Sequence, residues 1–215
     1  LQNFILDAEK YFNISSNNEV ICHILNNDYW KILSKLPKRS IDTIDLPKKD
    51  IEYIINDITK FYNNEKEYIK LGIPWKRNYL LEGLPGTGKT SLIFSLASHF
   101  NLDIYIINLG PKIDDSSYMK VVSKLPKKSV LVLEDIDALF VERKKNDSQK
   151  SLVSFSGILN VLDGMARKDG LITFLTTNYK NRLDKALIRP SRIDYTLHFK
   201  EATEEQIKHM FKRFF

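Results

Sequence analysis

The residues best able to do chemistry form one unbroken run: Gly83, Leu84, Pro85, Gly86, Thr87, Gly88, Lys89 and Thr90, a G-x-x-x-x-G-K-T pattern. Tyr79-Leu80-Leu81 before it reads as a strand, and Ser91 to Ala97 after it reads as a helix. In that setting this spacing builds an anion cradle. Glycines let successive backbone N–H groups turn inward. The first helical turn, Ser91 included, adds unpaired N–H groups and the positive end of its dipole. Lys89 is placed to reach the β- and γ-phosphates of a nucleotide, and the Thr90 hydroxyl to ligate Mg2+. A glycine turn beside a solvated lysine is the plain alternative.

The apolar stretch Ser129 to Leu133 runs straight into Glu134-Asp135-Ile136-Asp137. Its near-continuous apolar character suits a strand buried on both faces. Paired acids at its end are what a phosphate-cleaving site needs: Glu134 to steady a Mg2+ shell, Asp135 to polarise the attacking water. The competing reading makes Asp135 and Asp137 caps of a following helix. A fourth strand, Leu171 to Leu175, ends at Thr176-Thr177-Asn178. Ligands sit beyond the carboxyl ends of parallel strands, so the loop at Gly83, the acids and Asn178 should converge. An amide there can hold the γ-phosphate or the water; taken alone it would be a turn-forming Asn. Arg189 and Arg192 flank Pro190-Ser191. Paired guanidiniums can stabilise charge on a transferring phosphoryl group, but their position does not say whose nucleotide they serve.

These groups must be carried by a scaffold, and 215 residues suffice for one large α/β domain and a smaller piece. Residues 1–40 hold two apolar runs, Phe4-Ile5-Leu6 and Val20 to Leu25, separated by Ser15-Ser16-Asn17-Asn18. Periodicity leaves the second undecided between a strand and a buried helical turn. Lys35 to Ser40, broken by Pro37, reads as a linker. Ile51, Ile54, Ile55, Ile58, Phe61 and Tyr62 recur at helical spacing. A short helix over Glu65 to Lys70 stops at Gly72. Beyond the phosphate loop the pattern predicts a strand at Asp103–Asn108 and a helix over Asp114–Leu125. It then predicts a polar loop at Glu142–Lys150 and helices over Ser151–Leu162 and Asn181–Ile188. A strand at Tyr195–Phe199 and the start of a helix over Glu204–Phe215 complete it. Alternating strands and helices make an α/β, doubly wound parallel sheet with helices on both faces.

Composition removes other classes. The lone Cys22 excludes an internal disulfide and a cysteine zinc site, and His23, His99, His198 and His209 lack ligand spacing. No apolar run approaches the ~18 residues of a membrane span, and no leader pattern is present. The net charge of +6 is dispersed in short runs (Lys35 to Arg39, Lys127-Lys128, Arg143-Lys144-Lys145). Such runs read as solvated faces, so nucleic acid is a disfavoured partner. No Asn-Lys-x-Asp stretch argues for guanine. The chain opens on Leu1 and ends inside a helical pattern at Phe215, so it is expected to be a fragment with any anchor outside it. Its bias towards Asn, Ile and Lys is what an AT-rich genome, such as a parasite's or a large virus's, produces.

Together, Gly83–Thr90, Leu133–Asp137, Thr177-Asn178 and Leu183–Arg192 resemble an AAA-family ATPase. Gly72-Ile73-Pro74, the Glu-Asp order at 134–135 and Phe155–Gly164 are similar to one group within it: mitochondrial chaperones that move the folded Rieske iron–sulfur protein across the inner membrane for complex III assembly. The resemblance implies a P-loop NTPase large subdomain over residues 41–200. It makes 1–40 the tail of an N-terminal domain with its linker, and 201–215 the start of a truncated helical lid. It implies ATP and Mg2+ as ligands, Thr90 and Glu134 on the metal, Asp135 as base and Asn178 as the first sensor. Arg189 and Arg192 become fingers reaching a neighbour in a homo-oligomeric ring of six or seven that handles a protein client at the mitochondrial inner membrane. Leu109-Gly110-Pro111-Lys112-Ile113 lacks the aromatic of peptide-threading pore loops, which fits a folded client. Leu84 and Lys185 stand where proline is usual, and Ser191 where glycine is. A nucleic-acid motor or loader and a nucleotide-gated scaffold with little hydrolysis are the alternatives.

Overall fold

The computed structural model describes residues 18–26, 28–108, 114–138, 154–164 and 169–215. The Phe4–Leu6 run, the pore-loop segment Leu109–Ile113, the polar loop Glu142–Lys150 and the start of the helix expected from Ser151 lie outside the described residues.

Seven strands form one sheet in the order β2-β1-β4-β5-β6-β3-β7. They are β1 (Glu19–Asn26), β2 (Tyr29–Pro37), β3 (Lys76–Gly83), β4 (Ile104–Ile107), β5 (Val130–Leu133), β6 (Leu171–Thr177) and β7 (Tyr195–Phe199). All neighbours pair in parallel except the edge pair β1–β2. The helices are α1 (Lys48–Asn63), α2 (Glu65–Leu71), α3 (Lys89–Phe100), α4 (Asp115–Ser123), α5 (Phe155–Leu162) and α6 (Glu204–Phe214).

Strand alternation sends successive side chains to opposite faces, and each face carries its own core. Tyr79, Leu81, Val130, Val132, Ile172 and Phe174 pack with Ile54, Ile58 and Phe61 of α1 and Leu92, Ile93 and Leu96 of α3. Leu80, Leu131, Leu133 and Leu175 pack with Tyr118, Val121 and Val122 of α4 and Ile158, Val161 and Leu162 of α5. Covering both faces is why β5 and β6 are buried at every position.

One reading left open is decided, and two expectations need correction. The Val20–Leu25 run is a strand, paired with β4 from Cys22 to Ile24. The Lys35–Ser40 stretch is not all linker: Lys35, Leu36 and Pro37 finish β2, where an edge position tolerates proline. Residues 19–37 therefore extend the sheet that carries the phosphate loop. β2 has little periodic signal because Trp30 is its chief inward anchor; its Nε1 donates to the Val121 carbonyl at 3.2 Å and its ring meets Tyr105 edge-on. Finally, no α-helix forms over Asn181–Ile188. A 3-10 turn covers Lys180–Arg182, and separate turns follow. The Asp184 carboxylate accepts from the Ala186 N–H at 2.7 Å, and Pro190 disfavours helical backbone at Arg189.

Local caps set the helices that frame the site. Asp114 caps α4 through the Ser117 N–H, and Ser154 caps α5 through the Gly157 N–H. Asp115 joins the two helix starts by accepting from both the N–H and the hydroxyl of Ser154. A Cβ at Gly157 would fall on that carboxylate. α6 carries a Thr203/Gln206 capping box and docks through polar contacts: Arg213 and His209 on Asp45, and Gln206 on the Asp45 carbonyl. Among the described residues no helix is long and apolar enough to cross a membrane.

Candidate nucleotide site

The phosphate loop joins β3 to α3, a strand and a helix that share one core. Gly86 and Gly88 take φ of 81° and 98°, the left-handed region that glycine enters without steric cost. Gly83 serves a different purpose. It pairs with Phe199 of β7, and a Cβ there would lie 2.6 Å from both the Cβ and the carbonyl oxygen of Phe199. The strand thus passes its neighbour at a distance only glycine permits.

The Lys89 side chain is buried at the mouth of the loop. Its ammonium donates to the Gly83 and Leu84 carbonyls at 2.6 and 3.0 Å and to Asn178 Oδ1 at 2.9 Å. Burial pushes its pKa down, against the pull of Asp135 and Asp137. Asn178 uses its other end as well: Nδ2 donates to Asp135 Oδ1 at 3.2 Å. One amide therefore ties the cation of the loop to the second acid of the pair. Amide chemistry dictates the orientation, with oxygen towards the ammonium and nitrogen towards the carboxylate. On the near side, Thr90 Oγ1 donates to Glu134 Oε1 at 3.3 Å. Lys89, Thr90, Glu134, Asp135 and Asn178, drawn from three separate sequence segments, stand together at the carboxyl ends of β3, β5 and β6. Gly83 to Gly88 form the turn below them, and Ser91 lies half-buried in the first turn of α3.

Register between β5 and β6 sets the acids. The Asp135 N–H donates to Thr176 Oγ1 at 3.0 Å, and the Ile136 N–H donates to the Thr176 carbonyl at 3.0 Å. Asp135 itself sits at φ 48°. Aspartate tolerates left-handed backbone better than most non-glycine residues, which suits the Glu134-Asp135 order.

The two arginines are at the other end of the sheet. Arg192 O accepts from Asn78 Nδ2 at 2.7 Å, five residues before Gly83 on the same strand. At about 3.3 Å per residue, the Arg192 backbone lies roughly 16 Å from Gly83 along β3. Arg192 is also committed within its chain: Nε and Nη2 grip Asp163 at 2.7 and 2.8 Å, and Nη1 donates to the Ala186 carbonyl. The Arg192 guanidinium holds the Asp163 carboxyl below the usual carboxylate range. Arg189 is exposed. Ser191, between them, adopts φ 86°, which accounts for the glycine usual there; Lys76 donates to its carbonyl at 2.9 Å.

Thr176 and Asp163 have no role that the sequence alone assigns, and Asp137 has only that of a helix cap. Each acts through tertiary pairing. The only signal was position: Thr176 and Asp137 flank Asn178 and Asp135, and Asp163 lies next to Gly164 at the end of α5, far along the chain from the arginine it holds.

A parallel sheet with this loop, acid pair and amide at its carboxyl edge defines the phosphate-loop nucleotide hydrolases. Within that class, the profile of the ATPase family associated with various cellular activities (AAA) matches residues 79–201, and the chain belongs to that family. It is similar to the probable mitochondrial chaperone bcs1 of Schizosaccharomyces pombe, 36% identical over 98% of this chain and 48% of the relative. It is similar, too, to the probable mitochondrial chaperone BCS1-A of Dictyostelium discoideum, 42% identical over 82% of this chain and 44% of the relative. The mitochondrial chaperone BCS1 of Homo sapiens is 36% identical over 83% of the chain and 44% of its own length. The chain spans about half the length of the curated relatives it matches.

Proposed function

We propose that the protein hydrolyses ATP at sites shared between neighbouring copies in a ring, and that hydrolysis drives work on a protein client. The observation that carries the hydrolytic reading is the Asn178 amide, bonded to Lys89 by its oxygen and to Asp135 by its nitrogen. It places a cation for the γ-phosphate and a base for water on either side of one fixed group.

The loop residues Gly83, Leu84, Pro85, Gly86, Thr87 and Gly88, with Lys89 and Ser91, receive the phosphates. Thr90 and Glu134, one hydroxyl and one carboxylate within reach of each other, are the hard oxygen donors that suit Mg2+. The bound ion would neutralise charge on the phosphates. Asp135 accepts the proton of the attacking water, oriented by the amide that Asn178 donates to its Oδ1. The water oxygen bonds to the γ-phosphorus as the bond to the β-phosphate oxygen breaks, leaving ADP and phosphate. Charge spread over the transferring group calls for a guanidinium. Arg189, exposed at the far end of the sheet, fits the site of the next copy, while Asp163 and Arg192 brace the segment that carries it. The likeness to proteins named mitochondrial chaperones supports a protein client and a mitochondrial setting; a ring of six or seven copies and a folded client are part of the same proposal.

Mixed assemblies test the reading. Arg189→Ala and Lys89→Ala proteins should each be inactive alone. Mixed, they should regain part of the activity, because a Lys89→Ala copy can lend its arginine to the intact loop of an Arg189→Ala neighbour. No recovery at any ratio, with assembly intact by sedimentation, would refute the shared site.

A further inference from the structure

We infer that Asp137 is a positioning residue for Asn178, a third carboxylate beside the acid pair that holds the amide where hydrolysis needs it. The inference rests on Asn178 acting in hydrolysis as proposed above.

Asp137 follows β5 by four residues and is 5% exposed. Its Oδ1 accepts from the Thr177 hydroxyl at 2.8 Å and from the Asn178 backbone N–H at 3.1 Å. Thr177 is fully buried, and its hydroxyl oxygen accepts in turn from the Tyr179 N–H at 3.1 Å. Three consecutive residues leaving β6 thus hang on one carboxylate. Thr177 is the last residue of β6, paired with Glu82, and beyond it the chain leaves the sheet. Asn178 cannot hold Lys89 and Asp135 at once unless its backbone is set to within a fraction of an ångström. The Asp137 bond acts on that backbone, and the Thr177 bond ties the preceding residue to the same carboxylate.

The choice of residue follows from burial. A carboxylate this deep is tolerated only with hydrogen bonds on it and a cation near it. The two donors supply the first. Lys89 supplies the second, since the negative charge of Asp137 opposes the fall that burial imposes on the Lys89 pKa. Among the described residues the hydrogen bonds of Asp137 go to Thr177 and Asn178 and not to the loop, so its positional effect passes through Asn178. Both bonds run across to the end of β6.

A cycle of variants decides it, measured on the full-length protein with Mg-ATP turnover and with binding of a fluorescent ADP. Asp137→Ala should lower kcat about ten- to a hundredfold, the scale of a small misplacement of a reacting group. KM for ATP and ADP affinity should stay within about twofold. Asp137→Asn, whose amide oxygen can accept the same two donors, should recover most of the loss. Thr177→Val, a milder lesion that spares the Asn178 bond, should show a smaller loss of the same kind. The deciding readout is the background. In Asn178→Ala nothing remains to be positioned, so Asp137→Ala and Thr177→Val should lower kcat no further. An equal loss in both backgrounds would make Asp137 a structural residue and overturn the inference. So would a raised KM with unchanged kcat. If Asp137→Ala does not fold, Thr177→Val in the two backgrounds distinguishes the same two outcomes. Wild-type kcat in Asn178→Ala alone would refute the hydrolytic role of Asn178, and the inference with it.

Discussion

Replacing Gly83 with alanine tests whether the first glycine of the loop belongs to the phosphate or to the sheet. The added Cβ would stand 2.6 Å from the Phe199 Cβ and 2.6 Å from the Phe199 carbonyl oxygen, with Thr87 Oγ1 at 3.2 Å. Carbon atoms pack best at about 3.5–4.0 Å, so about 1 Å must be found. One obstacle is backbone and the other is a Cβ fixed to it, so no side-chain rotation can yield that space. The last residue pair between β3 and β7 must open, and Phe199, 5% exposed, must shift with it. Overpacking of this kind costs about 2–3 kcal/mol. At about 2–4 °C per kcal/mol for a chain of this size, Tm should fall roughly 4–12 °C. Gly86→Ala provides the contrast. Its Cβ meets nothing within 4 Å, and its cost comes from φ 81° alone. Calorimetry with hydrogen exchange separates the two. Gly83→Ala should speed exchange of the β7 amides and weaken ADP binding as the loop shifts, whereas Gly86→Ala should leave β7 protected. A Gly83→Ala protein with unchanged Tm and unchanged β7 exchange would refute the sheet as the reason for this glycine.

Two further substitutions probe the arginine segment. Arg192 depresses the Asp163 pKa, so that pair stabilises fully above the ordinary carboxylate range of about 4, and its contribution is lost as pH falls through the folded value. Denaturant midpoints of wild type and Asp163→Asn should therefore differ at neutral pH and converge in acid; a gap independent of pH would dismiss the ion pair. Ser191→Gly should relieve the left-handed backbone at φ 86°, raising stability by up to about 1 kcal/mol after glycine's own entropy cost. The denaturant midpoint should rise at constant m with hydrolysis intact, and a lower midpoint would show that Ser191 makes a contact worth more than the strain.

Much of the fold was legible because its causes are local in the chain. β5 reads as buried on both faces from Val130-Leu131-Val132-Leu133 alone, and α1 from its apolar spacing. β2 was not legible, since an edge strand with one chief anchor, the half-buried Trp30, has no alternation to show. The expected helix at Asn181–Ile188 failed for a related reason. Its propensity was sound, yet the segment must run from the carboxyl end of β6 to the amino end of β7, and Asp184 and Pro190 break it into turns.

The site divides the same way. The sequence by itself determined which groups are available: a glycine turn whose φ values only glycine enters freely, a lysine and threonine at the start of a helix, two acids past a buried strand, an amide and two arginines. Residue type and spacing carry that much, because a phosphate cradle is a property of a few consecutive residues. Tertiary structure decided what each group is for. β7, passing within a bond length or two of where a Gly83 side chain would begin, gave that glycine a reason unrelated to phosphate. The parallel register of β5 and β6 brought Thr176 under Asp135 and Asp137 under Asn178. The length of β3 put Arg192 at the far end of the sheet, where Asp163 takes it and Arg189 is left exposed. Hydrogen bonds and ion pairs between residues dozens of positions apart depend on distances that only packing sets, and the chain's order does not contain them.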